Sequence, residues 1–407
     1  MNVPLLDLNA QNLTLENELK AAFERVLHSG RFILGPEVEQ FEAEIVAMAD
    51  ARHGIGVTSG TDAILLALMA LDIGPGDEVL CPSFTFFATA GCIARTGATP
   101  VFVDSDPVTF NVDVADAERR VTAKTKAILP VHLFGQAADM DGVMTLAEKH
   151  GLAVIEDAAQ SLGARYKDRP VGGIGTFGTF SFFPSKNLGG FGDSGMLVCN
   201  DETLAEKARI LRTHGSKPKY YHKYVGGNFR MDPLQAALLQ VKLSHYADYT
   251  EKRRANAAWY TAELQKLPGI ALGAPSDPTD NAPETSNPSR PGNPSTSNES
   301  RTTNHSILLP PARPECHHIW NQYTLRVQGE GRRDALKAHL AERNIGSEIY
   351  YPVPMHRQEC FREFVGDHPL PVSETLAAEA LSIPVFPELT EEQRAAVVEA
   401  IGAFLGA

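Results

Sequence analysis

The chain lacks any apolar run approaching the roughly 20 residues needed to cross a bilayer. Its opening residues, MNVPLLDLNAQN, lack a basic stretch followed by an apolar one, so no secretory leader is expected. Cysteine is scarce: Cys81, Cys92, Cys199, Cys316 and Cys360 are odd in number and form no C-x-x-C pair. That usage points to buried, reduced thiols in a cytoplasmic protein, and no metal site is expected. Positive charge is in deficit, with 37 Lys and Arg against 50 Asp and Glu, for a net charge of -13. Such a surface repels phosphate backbones, so nucleic acid is not an expected partner, and neither is a membrane.

What the sequence does have is apolar content in an alternating pattern. Of 407 residues 43% are hydrophobic, enough for two or three structural units. Residues 14–29 carry apolar side chains at helical spacing, and Gly30 follows as a stop. From about 53 to 200, short β-rich runs (Ile55–Val57, Glu78–Cys81, Pro100–Val103, Ala127–Val131, Ala153–Ile155) are separated by helical segments (Asp62–Leu71, Phe87–Arg95, Met140–His150). Repeated β-then-α units predict an α/β fold with a mostly parallel sheet covered by helices on both faces. Ligands in such sheets sit beyond the carboxyl ends of the strands, so the residues just after each run are the ones to inspect.

Residues 232–266 read as one long helix leading into a second unit. A compositional break follows. From Pro275 to Asn304, 27 of 30 residues are Pro, Ser, Thr, Asn, Asp, Glu or Gly, too polar to offset their ordering entropy, which reads as a mobile surface insertion. Beyond it, Tyr323–Val327 reads as a strand, Arg332–Arg343 as a helix, Tyr350–Pro354 as extended and Glu391–Leu405 as a closing helix. The expected division is a large domain over 1–245 and a smaller α+β domain over 246–407, with the 275–304 insertion inside the second.

Three fragments carry chemistry. In Ile155-Glu156-Asp157-Ala158-Ala159-Gln160 an acid lies just past a strand end. Asp157 can hold a pyridine nitrogen protonated, so that the ring accepts electrons from a carbanion, and Gln160 can donate to a ring oxygen; an ordinary helix cap is the alternative. In the run from Thr179 to Gly190, Lys186 follows an aromatic strand and opens a glycine-rich turn. A lysine in such a setting has a depressed pKa, condenses with an aldehyde and shuttles a proton, whereas a lone lysine is ordinarily a solvated charge. In Val57-Thr58-Ser59-Gly60-Thr61-Asp62 a strand turns into a helix start, where Gly60 and Thr61 offer amides to a phosphate or form a plain cap.

Two further stretches need weighing. Gly173-Ile174-Gly175-Thr176-Phe177-Gly178 matches G-x-G-x-x-G, but an aromatic strand follows where a dinucleotide fold needs a helix, which disfavours a nicotinamide oxidoreductase. The stretch Lys217–Lys223 mixes lysines with tyrosines and either meets a nucleotide diphosphate or forms a solvated loop.

With these pieces in order, the chain resembles the DegT/StrS-type sugar aminotransferases, which depend on pyridoxal 5′-phosphate. The resemblance is carried by SGTDA at 59–63, GDEV at 76–79, PSFTFFATA at 82–90, HLFGQAADM at 132–140 and EDAAQSLGA at 156–164. SFFPSKNLGGFGDSG at 181–195, GGNFRMDPLQAA at 226–237, YYPVPMHRQ at 350–358 and LSIPVFPELT at 381–390 extend it over essentially the whole chain apart from the insertion.

The resemblance implies a fold type I transferase: a large domain with a mostly parallel seven-stranded sheet, a smaller α+β C-terminal domain, and a homodimer with active sites at the interface. It implies that Lys186 forms a Schiff base with the cofactor, Asp157 meets the pyridine nitrogen and Gln160 the ring hydroxyl. It places Phe86 on the ring face, and Gly60, Thr61 and Ser181 on the phosphate with Asn228 reaching over from the partner. Arg230 becomes a candidate for a carboxylate, and Tyr351 and His356 fall in a segment near the sugar, with a purely structural role as the alternative for His356. Family members with histidine at the lysine position act as dehydratases, so Lys186 favours transamination. The implied reaction moves an amino group from glutamate to a keto group of a nucleotide-linked sugar, at C3 by the closest motif match, for polysaccharide or aminosugar biosynthesis. The rivals are a C4-specific enzyme of the same family and a non-catalytic regulatory protein on the same fold.

Overall fold

The computed structural model describes residues 1–273, 306–366 and 368–406, so the 275–304 segment lies outside the described residues. Seven strands form the principal sheet: β1 (His53–Val57), β2 (Glu78–Pro82), β3 (Thr99–Val103), β4 (Thr125–Ile128), β5 (Ala153–Asp157), β6 (Phe177–Ser181) and β7 (Gly195–Cys199). Their order is β1-β7-β6-β5-β4-β2-β3. Only β7 runs antiparallel to its two neighbours, so the sheet is mostly parallel, as the alternating pattern predicts.

The strands carry apolar residues at consecutive positions because both faces are covered. Leu80, Val103, Ile128 and Val154 point into a core closed by the helices α2 (Pro36–Ala49), α5 (Met140–His150) and α7 (Pro233–Leu243). Their sequence neighbours Val79, Cys81, Phe102, Ala127 and Ile155 point into the opposite core, under α3 (Gly60–Ala70), α4 (Phe87–Arg95) and α6 (Glu202–Arg212). Helix α3 is apolar all round because it packs on the sheet, α4 and α6 together. Helix α5 shows how local sequence sets both ends: Asp139 caps it by accepting from the Gly142 amide, and Gly151 ends it at φ +66°.

The stretch 232–266 forms two helices rather than one. Helix α7 stops at Leu243, and α8 (Tyr246–Leu264) starts after a turn at Ser244–His245. The break lets α7 pack on α2 and on α1 (Glu16–Ser29), while α8 packs on α11 (Glu391–Leu405). It also drops Tyr246 into the core of the large sheet, where its hydroxyl donates to the Leu162 carbonyl at 2.6 Å.

A second sheet has the order β8 (Ile270–Leu272), β9 (Ile307–Leu309), β10 (Tyr323–Val327), β11 (Ala380–Ile383). Its core is closed by α8, α9 (Arg332–Glu342) and α11 through Tyr260, Leu336, Leu340 and Ile401, and α10 (Pro371–Glu379) leads into β11. Val3 joins this core and pairs with Ile345, so the first residues of the chain belong to the second sheet's surroundings. Tyr350–Pro354 forms no ladder and crosses toward the strand ends of the large sheet. Of the cysteines, Cys81, Cys92 and Cys199 are buried, Cys316 is partly buried and Cys360 is exposed, because it sits on the outer side of a short 3-10 segment whose Phe361 faces inward. Among the described residues no helix is long and apolar enough to cross a membrane.

Candidate active site

The residues singled out after each strand converge on one rim of the large sheet, at the carboxyl ends of β1, β2, β5 and β6. Asp157 ends β5 and faces α4, because alternate residues of a strand share a face and Ile155 already points there. It is 4% exposed. Its Oδ2 accepts from the Thr89 hydroxyl at 2.9 Å and its Oδ1 from the Ala159 amide at 3.2 Å. Burial pushes its pKa up, against those two bonds and the positive charge of Lys186.

Lys186 opens the turn after β6. Its backbone amide donates to the Phe183 carbonyl at 2.8 Å. The residue keeps some solvent contact, yet enough protein surrounds its amine that desolvation lowers its pKa to about 8, with Asp157 pulling it back up. The charge of each group therefore acts on the other across the strand ends.

The helix start and Ser181 also meet. Ser59 caps α3 by accepting from the Asp62 amide at 3.0 Å, which leaves Gly60 and Thr61 at the head of the helix where backbone amides have no partner within the helix. A Cβ added to Gly60 would lie 2.7 Å from the Ser181 Cβ, so the backbone of α3 reaches the end of β6 only because that residue is glycine.

Gln160 and Tyr351 are joined directly. Gln160 accepts from the Phe134 amide at 2.7 Å and donates to the Tyr351 hydroxyl at 3.1 Å, which leaves one amide N–H unused. Phe86 caps the start of α4, lies 6.1 Å from the Tyr351 ring and is 56% exposed. Arg230 pairs with Val57 at the end of β1, and its buried Nε has no protein acceptor among the described residues. Asn228 pairs with Thr213 in the same loop and its side chain is exposed. His356 stands apart: its Nδ1 meets the Ser83 hydroxyl at 2.6 Å and its Nε2 the Glu374 carboxyl at 3.2 Å, so both ring nitrogens are engaged by protein groups.

The G-x-G-x-x-G stretch proves to be an anion nest that the protein fills itself. The amides of Ile174 and Gly175 donate to Glu156 Oε1 at 2.8 and 2.6 Å, and that of Gly172 to Oε2 at 2.8 Å. His132 Nδ1 accepts from the Ala138 amide, so its Nε2 carries the proton and donates to Glu156 Oε2 at 3.0 Å. Sequence reasoning gave no role to Thr89, His132 or Glu156. Thr89 was within reach, one helical turn past Phe86 in a helix whose start was legible, and His132 closes the fourth apolar run.

Comparisons with known proteins show what the chain is similar to. The model of the family described as DegT/DnrJ/EryC1/StrS aminotransferase matches residues 13–286 and 299–402. A Geobacillus stearothermophilus protein named pleiotropic regulatory protein is 48% identical over 405 residues, 99% of each chain. An Acidithiobacillus ferrooxidans protein named UDP-N-acetyl-3-dehydro-α-D-glucosamine 3-aminotransferase is 42% identical over 98% of this chain and 97% of its own. The crystal structure of S. venezuelae DesV in complex with a ketimine intermediate superposes with a TM-score of 0.87 at 40% identity, covering 100% of this chain and 99% of that one.

Proposed function

We propose, from the premise that this chain belongs to the DegT/DnrJ/EryC1/StrS aminotransferase family, that it transfers an amino group from glutamate to the C3 keto group of a nucleotide-linked sugar. The observation that carries the reading is the placement of Asp157 at the end of β5, Lys186 in the turn after β6, and the Gly60 helix start against Ser181, all at one rim of the large sheet. The relative named as a 3-aminotransferase supports C3 over C4.

The residues present fit pyridoxal 5′-phosphate, the family's cofactor. Glycine at position 60 lets the head of α3 lie against Ser181, which brings the helix-start amides and the Ser181 hydroxyl to one place for a phosphate. Asp157 has acceptor capacity left on both oxygens. When bound, the cofactor supplies an electron-accepting ring that stabilises negative charge on the substrate carbon.

The rest is the work of this chain. The Lys186 amine would hold the cofactor through its aldehyde and would serve as the proton acceptor and donor at the substrate carbon. Asp157 keeps the ring nitrogen protonated, and Thr89 aims it. Gln160 donates its unused N–H to the ring hydroxyl. Phe86 covers the ring face, which accounts for an aromatic side chain left open beside Tyr351. Gly60, Thr61 and Ser181 hold the phosphate with Asn228 of the partner subunit, and Arg230 takes a donor or substrate carboxylate through its unused donors. Tyr351 borders the sugar and orients Gln160. His356 acts structurally, tying the 350–358 segment to Ser83.

A homodimer belongs to the same reading, supported by Val225 at 92% and Tyr220 at 79% exposure on the loop that carries Asn228. We place the reaction in the cytoplasm, where an exposed free thiol such as Cys360 stays reduced. A second reading, regulation without catalysis, is favoured by the name of the Geobacillus relative; the intact Lys186, Asp157 and Gln160 set speaks against it.

The deciding experiment incubates the protein with glutamate and a panel of 3-keto and 4-keto nucleotide sugars and measures 2-oxoglutarate release. Turnover confined to 3-keto sugars, and lost in Lys186→Ala, is the expected result. Turnover on 4-keto sugars alone would move the assignment to C4, and no turnover on any of them with cofactor bound would favour regulation.

A further inference from the structure

Lys242, in the last turn of α7, is 1% exposed, a place where lysine is rare unless paired. It forms no ion pair among the described residues: Glu388 acts on it only at a distance, and the Phe191 ring lies 5.6 Å from its Nζ. Its one hydrogen bond among the described residues goes to the Gly189 carbonyl at 2.6 Å. Burial lowers its pKa to about 8, so this amine sits there at a cost.

Gly189 lies three residues past Lys186, in a turn drawn tight on itself. The Lys186 amide donates to Phe183 at 2.8 Å and the Gly190 amide to Phe182 at 2.7 Å, and a Cβ on Gly189 would strike the Pro184 carbonyl at 2.1 Å. Those bonds close the inner side of the turn. The outer side is fastened by Asn187, which donates to the Ile319 carbonyl at 3.2 Å, and by Lys242. A charged donor makes the stronger and shorter bond, and it reaches the turn from a helix anchored on α1 and α2.

We propose that Lys242 is a positioning residue for Lys186: its ammonium pins the Gly189 carbonyl and so fixes where the Lys186 amine meets the cofactor aldehyde. The proposal rests on the assignment of Lys186 given above. Methionine in its place removes a buried cation that has no counter-ion and leaves one buried carbonyl without a donor, two opposing effects on the fold. The distinctive expectation is therefore a loss of positioning with the fold kept.

The test uses Lys242→Met in the full-length protein, with Lys242→Gln as a shorter neutral donor and Lys186→Ala as the control. In Lys242→Met the melting transition stays within a few degrees of wild type. Hydrogen–deuterium exchange of the cofactor-free protein speeds up at the amides of Lys186 and Gly190 and is unchanged in the second sheet. Uptake of pyridoxal 5′-phosphate slows, and kcat falls by up to about 100-fold, the scale expected of a displacement near 1 Å, with KM little changed. Lys242→Gln recovers part of each loss. Normal exchange and uptake in a folded Lys242→Met would overturn the proposal, and so would failure of that variant to fold, since the amine would then serve the fold. If Lys186→Ala takes up cofactor normally, the reading of Lys186 itself fails, a result distinct from either.

Discussion

Glu156 and Asp157 are adjacent carboxylic acids and both are buried, yet they do opposite things. Glu156 points to one face of β5 and receives four donors: three backbone amides from 172–175 and the His132 ring. Four bonds fill the acceptor sites of a carboxyl group. Asp157 points to the other face, at the sheet's rim, and among the described residues receives only Thr89 and Ala159. The saturated acid is a structural rivet; the half-satisfied one has room for a cationic donor. Burial and charge do not separate the two, and the count of donors does.

The comparison can be broken at several points. Asp157→Asn should cut turnover by on the order of 100- to 1000-fold, as removal of one preorganised charge does. Because burial already disfavours the charged form of Asp157, its melting temperature should hold; a normal rate with a weakened fold would reverse the roles assigned here. Glu156→Gln is the mirror case. An amide nitrogen would face two of the four donors, so chemical denaturation should show a loss of about 3 kcal/mol, with turnover per folded molecule close to wild type.

Titration sharpens the contrast. Burial lowers the Lys186 pKa to about 8, so the fraction of neutral, nucleophilic amine rises with pH and levels off above that value. Uptake of pyridoxal 5′-phosphate by the cofactor-free protein should therefore fall about tenfold per pH unit below the midpoint. Asp157 holds that midpoint up, so Asp157→Asn should shift it to lower pH while Glu156→Gln leaves it in place. The smallest effect is expected from Thr89→Val, about 1 kcal/mol, read as roughly a fivefold loss of cofactor affinity. No change there would mean that Asp157 is aimed by its backbone alone.

Much of this was legible in the sequence. Helices Phe87–Arg95, Met140–His150 and Glu391–Leu405 and strand Tyr323–Val327 fall where periodicity puts them. Asp157, Gln160 and Lys186 were singled out because each stands at or just past the end of a strand of strong local character. The break at Ser244–His245 was hidden by continuous helical spacing on both sides, and it exists because Tyr246 stays in the large sheet's core beside α7 while Ala257, Tyr260 and Leu264 of α8 serve the second core. Val3 in the second sheet and Lys242 under the Lys186 turn were hidden for a similar reason: their partners, Ile345 and Gly189, are distant along the chain.

The sequence by itself determined the succession of strands and helices and the residues left at strand ends, because apolar periodicity and capping act over a few neighbouring residues. Tertiary structure decided which acid is closed and which is open, and which glycine turn is filled. Those outcomes depend on donors brought from far along the chain: Gly175 from 19 residues away, His132 from 24 and Thr89 from 68. Only the packing of α4 on one face of β5, and of the 172–175 turn on the other, sets how many donors each carboxyl receives.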